Sequence, residues 1–255
     1  DNITVSKNHL TCTGYSAPTD RHGRGIAVQL IDAGGSYVED LRNINIINNT
    51  IDNLTLTHSV YSSGRFGVIY VSNSGSATLG KNISVKGNQI NNITGTTIYG
   101  ISIEGYLIGG EVIHNEIDTI TGSTEGDGIN VRTVSANFPV SHLDVSHNLI
   151  KSASHQGIEV NDAAGGTGDG VSYTSMIGNT ILSSGDYGVK IEGTNKTNCK
   201  IIANTILNST TGAISDGGTN TIIRNNVGYV TENSGTGTIA SGATSAVITH
   251  GLSVT

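Results

Sequence analysis

Acidic and basic side chains recur at fixed offsets behind a glycine. In 128–132 (Gly-Ile-Asn-Val-Arg), 157–161 (Gly-Ile-Glu-Val-Asn) and 188–192 (Gly-Val-Lys-Ile-Glu), the second and fourth residues after the glycine are polar and the first and third apolar. A period of two belongs to a strand with one buried face. If such strands stack in parallel, equivalent residues line up ~4.8 Å apart. Two places after the glycine the column runs Ala27, Ile69, Ser102, Asn130, Glu159, Lys190, Ile214; four places after, it runs Gln29, Val71, Glu104, Arg132, Asn161, Glu192, Asp216.

Two chemistries fit those columns. Glu104 beside Arg132 and Glu159 beside Lys190 are cross-strand ion pairs, each worth about 0.2–1 kcal/mol on a solvated face. That simpler reading takes precedence. The sharper one stacks Glu192 on Asp216, with Glu159 diagonal to Glu192 at about 8 Å. Adjacent carboxylates raise one pKa or attract a cation, and separations of about 5 to 9 Å are those glycoside hydrolases use. Glu159, Glu192 and Asp216 are then the candidate catalytic carboxylates, with Glu104, Arg132, Lys190, Asn130 and Asn161 holding the sugar. Tyr99 and Tyr187 precede two of the glycines and offer rings for sugar stacking, although packing over the sheet accounts for them equally well. His155, with Asp127, stands beside the same strands, and the stretches 133–142 and 162–173 are long enough to wall a groove. No cofactor is required.

These strands belong to a repeat. Apolar–x–apolar–x–x–Asn–x–apolar recurs around Asn8, Asn49, Asn88, Asn115, Asn148, Asn179, Asn204 and Asn225, for example as Ile44, Ile46, Asn49, Ile51 and as Leu143, Val145, Asn148, Ile150. The glycine motif falls between successive asparagines. The asparagine spacing shrinks along the chain while the motif stays fixed, as expected of constant coils carrying loops of variable length. Asn suits a left-handed turn between strands, and stacked copies can hydrogen-bond amide to amide along an axis. The pattern predicts an all-β solenoid, a right-handed parallel β-helix of about eight coils over residues 1–230. Residues 231–255 break the motif and read as a short non-repeating β segment, either a cap or the start of a further domain. The repeat opens on a full coil at Asn2, which fits a longer protein or an end covered by a partner.

The Asn-x-apolar turns and Gly-Ile-x-Val strands resemble the parallel β-helix repeats of the pectate-lyase-like superfamily over residues 1–230. That superfamily includes lyases, hydrolases, epimerases, viral tailspikes and non-catalytic surface proteins, so the resemblance implies a fold rather than an activity. The polygalacturonase signatures are not matched: the nearest strings are His155-Gln156-Gly157 and Val189-Lys190-Ile191. The Asp-Pro-His run of alginate epimerases is missing, since the prolines are Pro18 and Pro139. The stretch 165–170 (Gly-Gly-Thr-Gly-Asp-Gly) resembles a calcium-binding Gly-Gly-x-Gly-x-Asp repeat, with its Asp one place early and no tandem copy. Asp162 and Asp169 are accordingly the candidate ligands of a structural Ca2+. The leading expectation is an extracellular or virion-surface spike, fibre or adhesin-like shaft presenting a polysaccharide-recognition face. A tailspike-type glycoside hydrolase or lyase, and a purely structural shaft, are the alternatives. Analogy with tailspikes implies a homotrimer or assembly into a larger particle.

Composition narrows the partners. The net charge is −7 with no basic run, so nucleic acid is not expected. No apolar stretch has the length of a membrane span, so membrane insertion is not expected. Aromatics are only 4%, but stacked Ile and Val fill a solenoid core without aromatic bulk. Cys12 and Cys199 fall about six coils apart, roughly 29 Å at the strand spacing, beyond the ~7 Å Cα reach of a disulfide.

Overall fold

The structure is a computed structural model that describes residues 2–11, 25–30, 42–56, 66–73, 79–133, 139–162 and 170–229. Cys12, Asp169 and the segment 231–255 lie outside the described residues. No helix occurs among the described residues, and every strand pairing there is parallel. The architecture is that of a parallel β-helix.

The apolar-x-apolar segments form one eight-stranded parallel sheet, ordered in space as in sequence: Ile3–Ser6, Arg42–Ile47, Gly80–Lys86, Leu107–Ile113, Val140–Ser146, Ser175–Ile177, Lys200–Ile202 and Ile222–Arg224. Alternation sends Ile44, Ile46, Ile83, Val85, Val112, Leu143, Val145 and Ile201 inward, where all are buried. The strands after each asparagine and the glycine strands together make a second sheet of thirteen strands. They merge because Gln89–Gly105 and Glu116–Thr133 run around a corner without breaking.

Eight asparagines form the ladder, but the eighth is Asn226, one residue later than the sequence motif places it. Ile201 pairs with Ile223, so packing of the partly buried Ile223 against the core sets the register and carries Asn226 onto the stack. From Asn8 to Asn204, each backbone N–H and each Nδ2 donates to Oδ1 of the asparagine in the next coil at 2.9–3.0 Å. From Asn49 onward, Nδ2 also donates back to a carbonyl of the preceding coil, as from Asn115 to Val85 at 2.9 Å.

The ladder asparagines do not themselves make the left-handed bend. That bend sits one residue earlier, at Lys7, Asn48, Gly87, His114, His147, Gly178, Ala203 and Asn225, all with φ between 53° and 64°. The ladder position selects an amide; the position before it carries the backbone strain. A second left-handed column runs through Asn53, Asn92, Thr119, Ser152, Ser183 and Asn208, and a third through Asn43, Asn82, Gly109, His142, Tyr173, Asn198 and Asn220. Three such columns give the coil three corners.

Glycine recurs in the glycine strands for a steric reason. A Cβ on Gly128 would meet Ile150 Cγ2 at 2.5 Å and the Gly157 carbonyl oxygen at 2.6 Å. The isoleucine after the ladder asparagine occupies the space where a side chain would go.

Candidate functional site

The glycine strands carry the polar face. Residues two and four places after the glycine alternate outward from the core, yet Ser102, Glu104, Asn130, Arg132, Glu159 and Asn161 are all buried. Charges this dehydrated require partners.

Glu104 and Arg132 form one cluster on adjacent strands. Arg132 Nε lies 2.7 Å from Glu104 Oε1 without the alignment of a hydrogen bond, and Arg132 Nη1 has no hydrogen-bond partner among the described residues. Tyr70 Oη and Ser102 Oγ donate to the two Glu104 oxygens at 2.8 and 2.9 Å. Burial works against the Arg132 charge, but Glu104 more than offsets it, and the guanidinium pKa is raised.

The second cluster centres on Asp127 and Glu159. Asn130 Nδ2 bridges them, 3.3 Å from Asp127 Oδ2 and 3.0 Å from Glu159 Oε2; Asn161 Nδ2 also donates to Glu159 Oε2. Lys190 Nζ lies 3.6 Å from Glu159 Oε1 and 3.8 Å from Glu192 Oε1. Burial, followed by the Asp127 carboxylate, pushes the Glu159 carboxyl up to about 8, against the opposing pull of Lys190. Desolvation lowers Lys190, but Glu159, Glu192 and Asp186 outweigh it and hold the ammonium charged.

His155 Nδ1 is 3.2 Å from Asp127 Oδ1, which also accepts from the Gln156 backbone N–H at 3.0 Å. That hydrogen bond raises the His155 pKa above its ordinary value. Asp186 lies 4.0 Å from His155 Nε2 and accepts from Gln156 Nε2 at 2.9 Å. The side chains of His155, Asp186, Lys190 and Glu192 are 32, 26, 23 and 58% exposed, so they rim the buried Asp127–Glu159 pair on its open side.

Several expectations change. Asp216 does not stack on Glu192: it is registered with Ile191, while Ser215 pairs with Lys190 and Ile214 with Val189. The last coil aligns by its inward Ile214 rather than by Gly212, and a one-residue slip reverses the face of every side chain. Asp216 is exposed and accepts from the Gly218 N–H at 2.9 Å and Thr221 Oγ1 at 3.0 Å. The second coil slips likewise, so Tyr70 rather than Ile69 joins Ser102. Tyr99 is fully buried with its hydroxyl on Glu125 at 2.7 Å, which leaves no ring face for a sugar. Tyr187 is half-buried, with its ring against Gly212 of the next coil.

Asp162 already holds a cation of the protein's own. Its carboxylate accepts from the buried Lys196 ammonium, from Asn195 Nδ2 at 2.7 Å and from Thr133 Oγ1 at 2.9 Å. Burial alone would raise Asp162, but those hydrogen bonds pull its pKa below the ordinary carboxylate value. Among the described residues no three His, Cys, Asp or Glu side chains gather as a metal site. Buried Cys199 is unpaired, and desolvation pushes its thiol up to about 11.

Asp127, Gln156, Asp186 and Tyr70 complete the site beyond the columns read from sequence. Asp127, already placed beside these strands by the sequence, and Gln156 occupy the place directly before the glycine, so one further column adds Gln156.

No family model matches the chain, and no curated protein matches it. Among solved structures, the A-module of mannuronan C-5 epimerase AlgE6 from Azotobacter vinelandii is similar at 15% identity and a TM-score of 0.24, covering 91% of this chain and 92% of that one. A likeness that loose transfers no chemistry.

Proposed function

We propose that the glycine-strand face between Ser102 and Glu192 is a polysaccharide-recognition surface carried on a β-helical shaft. The observation that supports it is a row of partly exposed donors and acceptors, His155, Asp186, Lys190 and Glu192, held over the buried Asp127–Glu159 cluster. Sugar hydroxyls, which donate and accept at once, match such a mixture, and Lys190 and Glu192 add charge for an acidic or hydroxyl-rich chain.

The test is binding to a panel of immobilised neutral and uronic polysaccharides by the wild-type protein and the rim variants Lys190→Gln and Glu192→Gln, with folding checked by thermal melting. Binding that falls in both folded variants supports the reading. A wild-type protein that captures nothing on the panel, or variants that bind as well as wild type, removes it.

One observation favours a second reading, acid–base cleavage of the bound chain. A Glu159 carboxyl that keeps its proton to about pH 8 beside Asp127 pairs a carboxylic acid with a carboxylate, the division of labour that glycosidic bond cleavage uses. Release of reducing ends by wild type and its loss in Glu159→Gln would support cleavage; no release from any polysaccharide that binds would leave recognition alone.

A further inference from the structure

A second, separate concavity lies on the outer face of the eight-stranded sheet, at the third corner of the coil. Its cavity volume is about 430 Å³, and its lining includes His142, Asp144, Tyr173, Ser175, Asn198 and Lys200. That volume falls within the ~300–1,000 Å³ of small-molecule sites. Asp144, Ser175 and Lys200 form one outward column by strand register. His142 and Tyr173 stand at the corner just before it, their rings stacked 4.8 Å apart at 18°.

Tyr173 is unusual on two independent counts. Its side chain is the single aromatic among the exposed large hydrophobic residues of the described chain, at 52% exposure. It also adopts φ 50°, a left-handed conformation costly for a bulky residue. Other coils fill this same corner with Gly109 or with Asn43, Asn82, Asn198 and Asn220 at φ 54–57°, the residue types that tolerate that backbone best. Here the stack of asparagines gives way to two aromatic rings, and the Tyr173 ring, facing outward, adds nothing to the core. Every coil from Asn43 to Asn220 demands a left-handed residue at this corner, where asparagine would serve at lower cost, so an outward aromatic in its place points to a role for the ring at the surface.

We propose that this corner groove binds a pyranose unit of a carbohydrate, with the C–H face of the sugar against the Tyr173 ring. His142 stacks on one face of that ring and fixes its orientation, and the ring remains 52% exposed to a ligand in the groove. Asp144 accepts from sugar hydroxyls, Lys200 donates to them, and the Asn198 amide does both. The aromatic platform supplies the contact and the polar groups select the hydroxyl pattern, as in other amphipathic ligand sites. The site lies on a different sheet from the glycine-strand face and does not depend on that face binding glycan.

The test uses short oligosaccharides of glucose, galactose, mannose, N-acetylglucosamine and glucuronic acid at millimolar concentration, followed by NMR of the Tyr173 and His142 rings and by calorimetry. Tyr173→Asn is the informative variant, because asparagine already occupies the corner elsewhere and the fold is kept. At least one sugar should shift both ring signals, with affinity falling about tenfold or more in Tyr173→Asn and staying within about twofold in Tyr173→Phe. Glu192→Gln should leave these signals unchanged. If no sugar moves the rings, or Tyr173→Asn binds as wild type does, the groove is not a sugar site. Binding lost in Glu192→Gln but kept in Tyr173→Asn places the sugar on the glycine-strand face alone and overturns this proposal while sparing the other.

Discussion

Asn115 gives both its backbone N–H and its side-chain amide to one atom, Oδ1 of Asn148, at 3.0 Å each. Neither asparagine is exposed to water that could replace those bonds. Asn148→Ala orphans two buried donors and should cost roughly 2–4 kcal/mol, measured by denaturant unfolding. Asn8→Ala, at the exposed first rung, should cost clearly less. Equal losses at the two rungs would mean that the ladder is not what holds the coils.

The Glu104–Arg132 pair sits in a buried environment where removing one partner strands the other. Arg132→Met should destabilise the protein by about 3–5 kcal/mol, while the double variant with Glu104→Gln recovers most of that loss. A double-mutant cycle reads the difference; additive losses would show that the two side chains do not act as a pair.

Glu159 makes stability depend on pH. Its folded pKa, about 8, lies above the unfolded value of about 4.3, so the native state binds more protons between these limits. Stability linked to Glu159 is therefore fully present below about pH 4.3 and is lost as pH rises toward 8. Glu159→Gln should flatten the unfolding free energy across that window. A wild-type curve that is flat or rises there because of Glu159 would contradict a raised carboxyl.

His155 has the same sign through a different cause. Its hydrogen bond to Asp127 raises the folded pKa, so the stability it contributes is complete below about pH 6.5, the unfolded value, and is lost as pH climbs through the folded pKa. NMR titration should place His155 above 6.5, and Asp127→Asn should bring it down. An unchanged midpoint in that variant would assign the shift to something other than Asp127.

The solenoid was legible because its signals repeat. Inward Ile and Val, the ladder amide and the close-packed glycine each recur in nearly every coil, so register errors average out. The site was legible only where its residues obey the repeat: Glu104 beside Arg132 and Glu159 beside Lys190 follow from counting after the glycine. The Glu192–Asp216 stack failed because Gly212 looks like the motif glycine while the apolar Ile214 fixes the register, and burial outweighs resemblance. The burial of this polar face was not legible at all, since outward alternation on a strand ordinarily means contact with water. Asp127 was visible as a neighbour of the groove, yet its role rests on His155 and Asn130 converging from other coils, which spacing does not encode.

The asparagine ladder also has a sense. Every rung from Asn8 to Asn204 offers two N–H groups toward the C-terminal coil, and every rung from Asn49 to Asn226 receives them on its own oxygen from the N-terminal one. A finished coil thus presents a fixed pair of hooks to the chain that follows, and the newcomer docks in the one alignment that catches them. Biosynthesis delivers the chain in that same direction. The molecule is built to zip from its first turn onward, each turn acting as the mould for its successor.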